Sequence, residues 1–175
     1  LIEEVPGTLS DIILARFDHL PEPLKNILLR ASVLGDTFSV RLLRDLMADE
    51  RVDLISSLME LEVRDFLIHT QLNVEDGYIF KHPLLPETIY KTLLKRDLRK
   101  LHTRVAEAIE GADYWLPGER SQVLAYHYSE SLKTAHAIPY FLVSVEKAYQ
   151  HFANDTVAQL CRQVLALMET LPEDR

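Results

Sequence analysis

Cysteine occurs once in this 175-residue chain, at Cys161, and glycine only five times. A single thiol excludes an internal disulfide framework and suits a reducing compartment, so the expected localisation is cytoplasmic. Scarce glycine argues against a hairpin-rich β architecture, whose tight turns depend on it. No apolar run reaches the length that crosses a membrane. The Gly-rich phosphate loop ending in Lys-Ser/Thr is missing, and so are HExxH, a Cys-His cluster and a nucleophile elbow. The seven histidines (His19, His69, His82, His102, His127, His136 and His151) are scattered without metal-ligand spacing. Taken alone the chain is therefore read as non-catalytic, with no catalytic residue and no metal site. The N-terminal LIEEVPGTL has neither an initiator Met nor a signal-peptide pattern, and reads as the continuation of a longer protein.

What is present is a hydrophobic share of 47% and a charged share of 26%, ordinary for a globular protein able to bury a core. The net charge of −8 argues against general nucleic-acid affinity, because phosphate neutralisation needs a basic face. The charge is unevenly spread. Lys91 to Arg104 carries six Lys/Arg and one acid, whereas Asp45 to Asp65 is dominated by acids.

Periodicity predicts a mainly α fold. Thr8 or Ser10 can cap a helix over Leu9–His19, and Pro21 and Pro23 open a second over Glu22–Leu34, ended by Gly35. Phe38 opens a hydrophobic hook, and Ser39 caps a short helix through Met47. A further helix over Glu50–Glu62 is expected to bury Val52, Ile55, Leu58, Met59 and Leu61. The period then changes to two β-favouring runs, Phe66–Ile68 and Tyr78–Phe80, around a turn at Glu75-Asp76-Gly77. Three helices, a two-stranded wing and another helix is winged-helix order. From Pro83 a long helix is expected through Glu110, interrupted near Asp97 if anywhere, and then a linker over 111–118 with Trp115-Leu116-Pro117 tucked in. Helices follow over Glu119–Leu132, His136–Phe152 and Asp155–Leu171. In these, Leu124, Ala125, Tyr128, Ala137 and Phe141 match tetratricopeptide spacing, and Leu160, Cys161 and Val164 repeat its start.

Two constellations carry possible chemistry. Lys81-His82 falls where the second wing strand meets a helix; His82 there either packs and caps, or donates a hydrogen bond to a phosphate brought by another domain. Arg96, Lys100 and Arg104 recur at four-residue steps, making either a solvated helix face or a docking face for an acidic neighbour. Used as a DNA reader, the winged helix would need a basic third helix. This one and its flanks hold Asp49, Glu50, Asp53, Glu60, Glu62 and Asp65 against Arg51 and Arg64.

The stretches VPGTLSDIILARFDHLP, ASVLGDTF, FKHPLLPETIYKTLL and LHTRVAEAIE resemble the region after the ATPase core in bacterial STAND proteins, signal-transduction ATPases with numerous domains. The resemblance is to modules attached to class III adenylate/guanylate cyclases, protein kinases and LuxR-type regulators, and it covers nearly the whole chain. It implies the end of an ATPase lid over 1–19, a winged-helix domain with its closing helix over 20–110, the linker, and the start of a tetratricopeptide-like sensor array over 119–175. It also implies ATP or ADP with Mg in the intact protein, though no cofactor held by this segment alone. An upstream ATPase domain and an output domain are the implied partners, with a protein or small ligand on the repeats and no membrane. His82, flanked here by Lys81 and Pro83, matches the histidine of a Met-His-Asp-like motif that contacts ADP and holds the resting state closed. Arg16, within Ala15-Arg16-Phe17-Asp18-His19-Leu20, would pack the lid on the winged helix. The alternative is a DNA-binding winged-helix transcription regulator.

Overall fold

The computed structural model describes residues 8–48, 52–72, 75–112 and 117–169. Among them are nine helices and one three-stranded sheet, divided between two compact units, 1–95 and 96–175.

The N-terminal unit begins with α1 (Leu9–Asp18). Thr8 closes its first turn in a reciprocal capping box, its Oγ1 accepting from Asp11 N at 3.2 Å while Asp11 Oδ2 accepts from Thr8 N at 2.9 Å. Helix α2 (Glu22–Leu34) follows Pro21 and ends at Gly35, whose φ of +112° is open to glycine alone. Next come β1 (Thr37–Ser39), α3 (Val40–Leu46) capped by Ser39, and α4 (Leu54–Val63) capped by Asp53. Strands β2 (Leu67–Leu72) and β3 (Glu75–Phe80) then precede α5 (Leu84–Tyr90). The sheet order is β1-β3-β2, antiparallel throughout, with Phe38 opposite Tyr78 and Leu67 opposite Phe80. Phe38 packs between Tyr78 and Phe80, with ring centroids 6.3 and 5.8 Å away. Against this aromatic layer α2, α3, α4 and α5 bury Ile27, Leu28, Leu43, Leu58, Leu61 and Ile89, all fully enclosed.

Four expectations change. The hydrophobic hook at Phe38 is a third strand, too short to show alternation in sequence. The turn expected at Glu75-Asp76-Gly77 is strand; residues 73–74, between the paired strands, lie outside the described residues. Gly77 is needed there for closeness: a Cβ would stand 2.6 Å from Leu72 Cδ1 and 2.9 Å from the Phe38 carbonyl oxygen. Helix α4 starts at Leu54 instead of Glu50, and residues 49–51 lie outside the described residues. It buries Leu54, Leu58 and Leu61, leaving Ile55 48% and Met59 57% exposed. Ile55 and Met59 are spaced one turn apart just as Leu54 and Leu58 are, so periodicity alone allows either stripe; packing on α2 and β2 selects the leucines.

The fourth change concerns the long helix. It is two, α5 and α6 (Lys95–Gly111), and the break falls ahead of Asp97. Thr92 N and Leu93 N turn back to the carbonyls of Ile89 and Tyr90 at 3.0 and 3.1 Å, and Thr92 Oγ1 joins Ile89 O at 2.7 Å. These three-residue closures satisfy the last carbonyls of α5 and end it. The division into compact units consequently falls at Lys95/Arg96, inside the expected closing helix.

The C-terminal unit comprises α6, α7 (Pro117–Glu130), α8 (Thr134–Gln150) and α9 (Asn154–Met168), with α7 packed on α8 and α8 on α9. Leu124, Ala125, Tyr128, Ala137 and Phe141 are all buried, as are Leu160 and Val164; Cys161 is exposed. Pro117 and Gly118 already belong to α7, while Trp115 and Leu116 lie outside the described residues. Pro139 sits beyond the first turn of α8, because that helix starts at Thr134 and not at His136.

The turns α7–α8 and α8–α9 share one geometry. Lys133 N reaches Tyr128 O and Ala153 N reaches Ala148 O, each at 3.0 Å, with Leu132 and Phe152 at φ of +60° and +56°. The end of α4 repeats it, with Phe66 N on Leu61 O at 3.0 Å and Asp65 at φ +63°. These are Schellman closures with a bulky or charged residue at the left-handed position usually given to glycine.

Candidate functional site

The corner between β3 and α5 is built from backbone. Lys81 N donates to Phe66 O at 2.9 Å, extending the β2–β3 pairing by one step, and His82 O accepts from Leu85 N at 2.9 Å to open α5. His82 is exposed, and its ring has no hydrogen-bond partner among the described residues. Lys81 is also exposed, but its ammonium is ion-paired with Asp65. The Lys81 hydrogen bond and charge, aided by the Arg16 charge, hold the Asp65 carboxyl below its usual range. The structure thus presents His82 outward and engages Lys81 within the unit.

Beside this corner Arg16, on the last turn of α1, donates from Nη2 to Arg64 O at 2.9 Å. Its guanidinium lies over the Phe66 ring, 4.9 Å from the centroid. Arg16 therefore fastens α1 to the turn that follows α4. Arg64 spends its own fork on Glu60, with Nε and Nη2 at 2.8 and 2.7 Å from Oε1.

The outer face of α4 is apolar and acidic. Ile55, Met59 and Val63 are exposed along it, flanked by Asp53 and by the Glu60–Arg64 pair. The stripe Arg96, Lys100 and Arg104 lies on α6. Arg96 and Lys100 are exposed, with Arg96 Nε 3.4 Å from Asp97 Oδ1, whereas Arg104 is half-buried and engaged.

The C-terminal unit contains groups that sequence reading did not single out. His102 on α6 and His127 on α7 are buried with their Nδ1 atoms 2.8 Å apart, edge-on to the Tyr126 ring. One Nδ1–H donates to the lone pair of the other, so the accepting ring at least is neutral. Burial pushes His102 down to about 4, and burial together with the His102 charge pushes His127 down to about 3. Nearby, Glu110 accepts from Tyr128 Oη at 2.6 Å and from Tyr140 Oη, tying α6, α7 and α8 together. Both phenols are raised, chiefly by burial and then by the carboxylate: Tyr128 above the normal phenol range and Tyr140 to about 12. A groove of about 440 Å³ is lined by Gln122, Tyr126 and Ser129 of α7, Phe141 of α8, and Leu160, Gln163 and Leu167 of α9. Tyr126 and Tyr128 bracket His127 in sequence, but nothing in that spacing signals a partner 25 residues away.

No protein-family profile matches the chain. It is similar to an uncharacterized protein of Rhizobium meliloti (strain 1021), with 25% identity over 147 residues, 82% of this chain. The chain spans 14% of that protein's length. Among the described residues no helix is long and apolar enough to cross a membrane, and no three metal-ligating side chains converge.

Proposed function

We propose that the chain is a regulatory segment of a STAND-type ATP-dependent signalling protein, non-catalytic by itself. In this reading the N-terminal unit is a winged helix that gates nucleotide state, and the C-terminal unit begins a tetratricopeptide-like array that senses a protein or small ligand. The intact protein would be a cytoplasmic ATPase using ATP or ADP with Mg, coupled to an output domain such as a cyclase or kinase.

The observation that carries the reading is the corner at His82. Helices, a short strand, two further helices and a two-stranded ribbon lead into it, and an exposed imidazole without a partner of its own stands there. Such a ring can donate a hydrogen bond to an ADP phosphate presented by an upstream ATPase domain, stabilising the closed state through a contact made only there. Lys81, held by Asp65, fixes the corner; to reach a phosphate itself it would have to leave that carboxylate. Burial of Leu124, Ala125, Tyr128, Ala137 and Phe141 supports the repeat reading of the second unit, whose groove then serves the sensed ligand. Arg96 and Lys100 suit an acidic docking neighbour.

The test is His82→Ala in the full-length protein, expected to raise basal output and speed ADP loss. Unchanged output together with unchanged ADP retention would sink the reading. A DNA-binding regulator is the rival, and the acidic, apolar outer face of α4 speaks against it. Micromolar binding of duplex DNA by this chain at physiological salt would revive it.

A further inference from the structure

We infer that the depression between the end of α1 and the turn after α4 is a receptor for one oxyanion group, a phosphate or a carboxylate, with Arg16 as its principal ligand. The depression measures about 370 Å³ and is lined by Ala15, Arg16, His19, Leu20, Arg64 and Phe66. All six belong to the N-terminal unit.

Three observations converge. The guanidinium of Arg16 is held rigidly, one edge on Arg64 O and one face on Phe66. Among the described residues no carboxylate pairs with it, although Glu60 takes the fork of Arg64 and Asp65 takes Lys81. His19, whose Nδ1–H donates to Ala15 O at 2.6 Å, lines the rim without supplying a second donor. A fixed guanidinium with a free edge is preorganised for bidentate oxyanion binding, since the entropy of ordering it is already spent. Of the neighbouring acids, Glu60 is paired with Arg64 and Asp65 with Lys81; Asp65 also feels the Arg16 charge, which tempers the anion affinity without occupying the Arg16 fork. The floor of Leu20 and Phe66 is apolar and buried, so the anion meets its donor away from bulk water on one side. The site does not depend on the nucleotide role proposed for His82.

The test titrates the 175-residue chain with inorganic phosphate and, separately, acetate, following the Arg16 side-chain Nε–H and the amides of Arg64, Asp65 and Phe66 by NMR. Saturable shifts at these groups are expected. Arg16→Gln should weaken binding about tenfold or more, as loss of a charge-assisted pair does. Arg16→Lys keeps the charge without the fork and should fall between; it also serves if the Gln variant loses its fold. Lys147→Gln, on the exposed face of α8, should change nothing. Response to phosphate alone assigns a phosphate-bearing ligand, and an equal response to acetate a carboxylate. Absence of saturable shifts, or shifts that persist in Arg16→Gln, overturns the proposal.

Discussion

In the N-terminal unit the buried interior is apolar from Ile27 and Leu28 to Leu85 and Ile89; no described histidine or carboxylate is buried there, and of the half-buried Arg30 the Nε is enclosed. Its ionic groups, Lys81 with Asp65 and Arg64 with Glu60, lie at the surface. The C-terminal unit does the reverse at its first helices, enclosing His102 and His127 between α6 and α7 and tying three helices through Glu110 to two phenols. Area removed from water sustains the first unit and is indifferent to pH. The second relies in part on matched polar partners, which lose more when one is removed than when both are.

The largest loss is expected in the core of the N-terminal unit. Leu28→Ala or Leu58→Ala should cost about 2–5 kcal/mol, the range for emptying a fully buried leucine site. Denaturant unfolding of the chain checks this, and a loss near zero would mean that the unit does not depend on its core. Next comes the histidine pair. His127→Leu strands a buried Nδ1 on His102 and should cost about 1–3 kcal/mol, while the double change with His102→Leu should recover part of it.

Acid sharpens the same contrast. The unfolded chain protonates these rings below the ordinary histidine value of 6.5, whereas the folded pair resists until about 4 for His102 and about 3 for His127. The unfolded state then holds more protons, so stability falls as pH drops through this window and is unaffected by the pair above it. Thermal unfolding at stepped pH should show the loss in the C-terminal unit, and the double leucine variant should remove the histidine share of it, leaving that of Glu110, whose carboxyl the two phenols hold low.

Smaller effects come from the left-handed turns. Leu132→Gly and Phe152→Gly should each stabilise by up to about 1 kcal/mol, because a side chain at positive φ costs more than the added freedom of glycine in the unfolded chain. Both side chains are well exposed, 61% and 87%, so little packing is lost. Smallest of all is Lys81→Ala: its ion pair with Asp65 is solvent-screened, and melting should scarcely change.

Helix ends were the most legible features. Thr8, Ser39, Pro21 and Gly35 each carry a local chemical reason to start or stop a helix, and α1, α2 and α3 follow them closely. Less was legible where two choices were locally equal, as with the buried stripe of α4. The break after Tyr90 was hidden because Leu93 and Leu94 continue the apolar spacing across it, yet Leu94 is 67% exposed. At the candidate corner the sequence marked Lys81-His82 as the strand-to-helix junction, but not that Asp65 would occupy the lysine and leave the imidazole outside.

Composition, capping residues and periodicity by themselves determined a mainly helical chain with a small β element, and most of its helix boundaries, because those depend on contacts within a few residues. Which helical face is buried, the third strand, the split of the long helix and the meeting of His102 with His127 were decided only by tertiary structure. Each depends on partners distant in sequence, whose cost or benefit exists only once the chain has closed.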